Sequence, residues 1–231
     1  MSETYVITGA NRGIGLEMTR QALGQGHRVI AVCRQPGQAG ALKTVCAEHD
    51  DRCQIYAADV CDAEAMTAIA AEIAGPVDVV VCNAGSMSPR GGIDDAGNTV
   101  EAIGPVLMTN MVGPFFTARA FLSPLERSKK PRIAIISSFM GSQQHQGAAA
   151  YFYRASKAGA NNLMVTLANE LKAKNIAVAS YHPGWVQTDM GGPGADITPQ
   201  VSAKGLLEQF QGLGMGSTGR FFNYDGSPLP L

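Results

Sequence analysis

Residues 4–18 read TYVITGANRGIGLEM, and their pattern decides the fold. Five β-branched or aromatic-rich residues, Thr4 to Thr8, form a strand. A turn carrying Gly9, Gly13 and Gly15 follows, and an apolar stripe through Ile14, Met18 and Ala22 begins a helix. A helix that starts on glycines offers free N–H groups and the positive end of its dipole to an anion, so a pyrophosphate is the expected guest. On this reading a side chain at Gly13 or Gly15 would hold that guest away. The spacing is G-x-x-x-G-x-G, and no Lys-Ser/Thr pair follows as a triphosphate-hydrolysing loop requires.

Outward from this turn the same alternation continues to the end of the chain. TYVIT, RVIAVC, CQIYAA, VDVVVC, RIAIIS, IAVASY and RFFNY read as seven strands, four of them almost wholly apolar, as in a parallel sheet covered on both faces. Between them run helical stripes: Met66, Ile69, Ala70 and Ile73; Met108, Met111, Val112 and Phe115; Ala160, Leu163, Met164 and Leu167. The expectation is a single domain over residues 1–231, an α/β doubly wound Rossmann-type sheet of seven parallel strands with helices on both faces. Its ligand crevice lies at the carboxyl ends of the strands. The irregular stretches 86–98 and 190–198 leave from that end, where loops select substrates.

At 231 residues the chain is long enough for one well-buried core. With 18 basic and 19 acidic side chains the net charge is −1, which gives no footprint for nucleic acid or a membrane surface. The start of the chain shows no leader pattern and no apolar run approaches 18 residues, so a cytoplasmic protein is expected. The five cysteines lie in the first 82 residues without a C-x-x-C pair. Neither a disulfide framework nor a metal site is expected; a cluster of Cys46, His49 and Cys53 is the alternative to cysteines packed as small apolar residues.

Nineteen residues past Gly15, where an enzyme using NAD would carry an acid for the ribose 2′-hydroxyl, stands Arg34. A guanidinium suits a 2′-phosphate, and Arg12 inside the glycine turn is placed to close on it from the other side. Together they point to NADP(H). In YFYRASK, residues 151–157, Tyr153 lies one helical turn from Lys157 whereas Tyr151 points away, so Tyr153 is the lysine's partner. Further upstream, Pro114 has no N–H for the carbonyl of Asn110, which is left free within MTNMVGPFF.

These motifs, TGANRGIG, Asn83-Ala84-Gly85, YRASK and Pro183-Gly184-Trp185-Val186-Gln187-Thr188-Asp189, resemble the short-chain dehydrogenase/reductase family across essentially the whole chain. YFYRASK, HPGWVQTDMGG and GRFFNYDG look like its C-factor and sniffer-like carbonyl reductase branch. The resemblance implies Asn110, Ser138, Tyr153 and Lys157 as the catalytic set. It places Ile14 near the pyrophosphate, Asp59 and Val60 at the adenine, Asn83, Ala84 and Gly85 at the adenosine ribose and Thr188 at the nicotinamide carboxamide or the adjacent phosphate, with Gly9, Asn11, Arg12, Gly13, Gly15, Arg34, Pro183, Gly184 and Val186 also among the cofactor-binding residues. Tyr153 would protonate a carbonyl oxygen, its pKa brought from about 10 toward about 7, roughly 4 kcal/mol, by Lys157 and the positive product ring. Lys157 would hold the nicotinamide ribose, Ser138 the carbonyl oxygen, and the Asn110 carbonyl a water relaying protons to Lys157.

Ser138 precedes Tyr153 by 15 residues, about two more than is commonest in the family, which leaves Ser137 and Ser142 as alternatives. Met87, Met140, Tyr151, Trp185 and Met190 are the expected apolar pocket, with Arg90 and His145 able to reach a polar or anionic end. The resulting expectation is an NADPH-dependent reductase of a ketone, aldehyde or quinone, a small-molecule enzyme assembled as a homodimer or homotetramer. An oxidative NADP-linked alcohol dehydrogenase and an NADP(H)-binding signalling protein are the other readings.

Overall fold

The computed structural model describes residues 2–231. One sheet runs through them in the order β3-β2-β1-β4-β5-β6-β7-β8. The strands are β1 (Thr4–Thr8), β2 (Arg28–Cys33), β3 (Cys53–Ala57), β4 (Val79–Cys82), β5 (Arg132–Ile136), β6 (Ala177–His182), β7 (Phe221–Asn223) and β8 (Pro228–Leu229). The first seven are parallel, as expected; β8 is an additional strand, antiparallel to β7. It escapes a pattern search because it has two residues, one of them proline, and edge strands tolerate both.

The strand order reverses between β1 and β4, which opens a crevice at their carboxyl ends. Side chains alternate strictly across the sheet. Tyr5, Ile7, Val79, Val81, Ala134 and Ile136 pack with Met18 and Leu23 of α1 (Gly13–Gly24), Leu42 and Val45 of α2 (Gly40–Ala47), and Leu206 and Phe210 of the last helix. Val6, Val80, Ile133, Ile135 and Val178 face Met66 and Ile69 of α3 (Ala63–Glu72) and Ala160, Met164 and Leu171 of the longest helix. Each strand therefore carries two apolar faces, which is why the runs look continuous in sequence.

The remaining helices are α4 (Val100–Leu107), α5 (Gly113–Ala120), α6 (Leu122–Glu126), α7 (Tyr151–Leu171) and α8 (Pro199–Gly212). Asp62, Thr99 and Thr198 cap α3, α4 and α8 by accepting backbone N–H bonds. Between α4 and α5 the chain winds as a π-helix, Met108–Val112, one residue wider per turn. That slip corrects the expected stripe: Met108 and Phe115 are exposed, and the buried face is Val106, Asn110, Gly113, Pro114 and Thr117. Gly113 is pressed against Val60, where a methyl group would lie within 3.0 Å of the valine.

The cysteines depart from expectation at one place. Cys46 at the end of α2 and Cys53 at the start of β3 form a disulfide, with Cα atoms 5.1 Å apart, because the short turn at 50–52 folds the chain back on itself. His49 lies against Arg52, 3.1 Å from its Nη2. No helix among the described residues is long and apolar enough to cross a membrane.

Candidate active site

The crevice is a cleft of about 690 Å³ that runs from Arg34 and Asp59 at one end, past the glycine turn, to Tyr153 and Lys157 at the other. Its floor is one hydrogen-bonded unit. The Thr8 hydroxyl accepts from the N–H groups of Asn83 (3.0 Å) and Ala84 (3.1 Å), and the Asn83 amide donates to the carbonyls of Thr8 (2.9 Å) and Gly9 (3.3 Å). Asn83 and Ala84 thus tie β4 to the turn after β1. A methyl group at Gly15 would fall within 3.0 Å of the Gly9 carbonyl oxygen and the Asn83 amide. Gly15 is therefore required by the closing of the turn on itself, where clearance for a ligand was expected. Gly9 and Gly13 have φ of 67° and 55°, a conformation that side chains disfavour, and Gly13 also touches the Thr188 methyl.

Arg34, Asp59 and Val60 line the cleft, as does Arg12. The Asp59 carboxylate accepts from the Cys61 N–H at 2.9 Å. Arg34 forms no ion pair among the described residues, but Arg12 does: its Nη1 lies 2.7 Å from Asp189 on the opposite rim. The two arginines thus line one cleft, with Arg12 already engaged by a carboxylate to which the sequence assigns no role.

At the other end the two tyrosines differ in burial. Tyr153 is 8% exposed and Tyr151 45%. The Lys157 ammonium stands 5.7 Å from the centre of the Tyr153 ring and donates to the Ile136 carbonyl at 2.8 Å. The serines also separate. Ser137, which lines the cleft, donates to the Lys157 carbonyl, while Ser138 and Ser142 accept the backbone N–H groups of Met140 (3.1 Å) and Gln144 (3.2 Å); of the three, Ser138 is the one whose hydroxyl lowers the Tyr153 phenol. Gly141 lets this segment lie directly on α7, since a methyl there would meet Lys157 and Ala158 within 3.0 Å.

Asn110 is 1% exposed and its side chain is a clamp. Its amide exchanges two hydrogen bonds with the Ser86 backbone, both 2.8 Å, and donates to Ser156 at 3.0 Å. It thereby fixes the segment after β4 against α7. The same segment supplies Ser88, whose hydroxyl accepts the Tyr153 N–H at 3.1 Å, capping the helix start beside two left-handed alanines, Ala149 and Ala150. Ser86, Ser88 and Ser156 escaped sequence reading because lone serines carry no spacing signal.

Burial governs the charges. It pushes the Tyr153 phenol above its usual range, although the Ser138 hydroxyl and the Arg90 charge pull it down. Burial also brings the Lys157 ammonium down to about 8. The expected lowering of the phenol by Lys157 is absent here, because the ammonium is directed at Ile136. His182, at the end of β6, is pushed down to about 4 by burial, with Asp225 opposing and the Lys157 charge adding to the effect.

Of the residues expected around a substrate, Met190 lines the cleft, Met87 and Met140 are half-buried, and Tyr151 and Trp185 stand exposed at the rim. The Trp185 indole donates to the Gly191 carbonyl at 2.9 Å and so belongs to its own loop. Arg90 reaches from the segment after β4 to the Met190 carbonyl, and His145 packs on Phe139 with ring centres 4.2 Å apart.

Known proteins resemble this chain in sequence and fold. C-signal of Myxococcus xanthus is 36% identical over 164 residues, 68% of this chain and 93% of its own. A carbonyl reductase from chicken fatty liver, solved with NADPH bound, superposes with a TM-score of 0.92 at 30% identity, covering 100% of this chain and 99% of that one. The carbonyl reductase Sniffer of D. melanogaster gives 0.93 at 29% identity, with both chains covered in full. The family model for short chain dehydrogenase matches residues 3–196, and with the shared sheet and crevice this shows that the chain belongs to the short-chain dehydrogenase family.

Proposed function

We propose that this protein is an NADPH-dependent oxidoreductase that reduces the carbonyl of a small ketone, aldehyde or quinone, with Tyr153 as general acid. The observation that carries the reading is the pairing of Tyr153 and Lys157 in the lining of a cleft that Arg12 and Arg34 also line, with Ser138 beside the Tyr153 phenol. The fit to a dinucleotide rests on the glycine turn, closed by Asn83, and on these cations. When bound, the reduced dinucleotide supplies the hydride.

The chain's own residues do the rest. Ser138 orients the carbonyl oxygen and stabilises charge developing on it. The Tyr153 hydroxyl gives that oxygen its proton, held until then because burial keeps the phenol neutral. Lys157, with a pKa of about 8, exchanges protons near neutrality and is suited to restore the one that Tyr153 loses. Asn110 keeps the wall after β4 against α7, so that Tyr153 stays aimed at the cleft. Arg34 and Arg12 select the 2′-phosphate. The roles proposed for Asp59, Val60, Pro183, Gly184, Val186 and Thr188 at the dinucleotide stand with this reading.

The protein is proposed to work as a cytoplasmic single-domain homodimer or homotetramer; light scattering that returns a monomer's mass refutes the assembly. The chemical test is titration with NADPH and NADH, followed by NADPH consumption at 340 nm with a panel of ketones and quinones. NADPH should bind at least tenfold more tightly, and Tyr153→Phe should lower turnover by 100-fold or more. The likeness to C-signal supports a second reading, an NADP(H)-binding signalling protein. In that case the dinucleotide binds and Tyr153→Phe leaves the biological effect intact.

A further inference from the structure

The segment after β6 is built as one stiff piece. Gln187 N–H donates to the Ile197 carbonyl (2.9 Å), Ile197 N–H to Trp185 (3.1 Å), Gly192 N–H to Thr188 (2.8 Å), and the Gln187 amide to Ala195 (3.0 Å). Two arginines hold it to the rest of the cleft. Arg12 of the glycine turn grips Asp189, and Arg90 of the segment after β4 grips the carbonyl of the next residue, Met190. Both side chains of the first pair are largely exposed, 64% for Arg12 and 78% for Asp189, so water and other anions reach the pair. Such a pair is weak and exchangeable. Arg34 lines the same cleft without an ion pair among the described residues.

We infer that Asp189 is a specificity-determining residue: an internal anion that occupies Arg12 and competes with the 2′-phosphate of NADP(H) for it. The inference rests on the NADP(H) reading above and goes beyond it. A 2′-phosphate has nearly twice the charge of a carboxylate and takes the guanidinium over. Asp189 must then give up its partner, and because its segment is stiff, Met190 in the wall of the substrate end is displaced with it. The Met190 carbonyl leads on to Arg90, and Ser88 of that same segment receives the Tyr153 N–H. Phosphate recognition at one end of the cleft is thus joined through contiguous contacts to the acid at the other, and reciprocity makes the coupling act in both directions.

The test is the dissociation constants of NADPH and NADH for the intact protein, Asp189→Asn, Arg12→Ala and the double variant, by nucleotide fluorescence. Asp189→Asn is expected to bind NADPH about threefold to tenfold more tightly with NADH changed less than twofold, and the gain should vanish when Arg12 is alanine. Equal tightening of both nucleotides, or weaker NADPH binding in Asp189→Asn, overturns the competition. Arg34→Ala separates this from failure of the cofactor reading itself. If the parent does not prefer NADPH and neither arginine variant alters its binding, the NADP(H) reading falls and the inference with it. If the preference is present and lost in Arg34→Ala while Asp189→Asn changes nothing, only the role of Asp189 falls.

Discussion

Gly15→Ala separates two reasons for a glycine in this turn. A methyl group there meets the Gly9 carbonyl and the Asn83 amide within 3.0 Å, and neither belongs to a flexible side-chain end with room to retreat. Relief requires the start of α1 to move off β4, breaking the Asn83 bonds to the Thr8 and Gly9 carbonyls. Overpacking costs about 1–3 kcal/mol, and two lost hydrogen bonds about 1 kcal/mol each. The sum is about 3–5 kcal/mol, which for a chain of this length lowers the melting temperature by about 6–20 °C. Gly13→Ala makes the contrast: its φ of 55° costs about 1–2 kcal/mol, and the Thr188 methyl beside it can turn away. Gly24→Ala, at the end of α1 with nothing within 4 Å, should gain about 0.5–1 kcal/mol. The assay is thermal and urea unfolding without nucleotide. A Gly15→Ala protein that melts within 2 °C of the parent yet no longer binds nucleotide would show that the glycine clears space for a ligand.

His182 binds its proton only near pH 4 in the fold but near 6.5 when unfolded, so its contribution to stability is complete above 6.5 and disappears as pH falls through 4. The loss at pH 4 is about 3 kcal/mol, and urea unfolding of His182→Asn should show a flatter acid limb, with His27, also lowered, common to both proteins. Ala150→Gly should raise stability by about 1 kcal/mol, because φ of 47° suits glycine; an unchanged or lower urea midpoint contradicts the strain argument. Ser138→Ala should reduce turnover by about 100-fold and, because it leaves the Met140 N–H without its acceptor, cost about 1 kcal/mol of stability, whereas Ser137→Ala, which removes the donor to the Lys157 carbonyl, should cost a similar amount of stability while turnover is largely kept; the reverse pattern of turnover would mean the wrong serine has been chosen.

The sheet was legible because its information is local and repeated. Val79, Val80 and Val81 alternate between two packed helical layers, so a buried parallel strand looks like an unbroken apolar run. The same logic failed between α4 and α5. A 3.6-residue period does not hold from Met108 to Phe115, where the chain winds as a π-turn, and its neighbour Gly113 lies against Val60, a contact between positions 53 apart that spacing does not reveal. The disulfide was missed for a similar reason: what brings Cys46 to Cys53 is the turn between them, and cysteine spacing alone does not encode it. Tyr153 and Lys157 could be paired from their four-residue spacing, while Ser88, Ser156 and Asp189 act on partners far away in sequence.

The electrostatics of the cleft carry the argument one step further. Burial drives both groups of the tyrosine–lysine pair toward neutrality, the phenol upward and the ammonium down to about 8. A general acid is most effective when its pKa lies near the working pH, so the isolated chain holds Tyr153 on the wrong side of that optimum. Ser138 and Arg90 already oppose the shift, yet desolvation outweighs them. Only additional positive charge or hydrogen bonds to the phenolate can bring the phenol down, and the Lys157 ammonium, 5.7 Å from the ring centre, is one source once turned from the Ile136 carbonyl. With a pKa of about 8 Lys157 is mostly charged at neutral pH, and below that pH its burial lowers the stability of the fold by about 3 kcal/mol relative to a solvated lysine, a loss that acceptors entering the cleft beside it would offset. The same burial that makes Tyr153 a poor acid in the empty chain would thus make its acidity conditional on ligand, confining proton transfer to an assembled site.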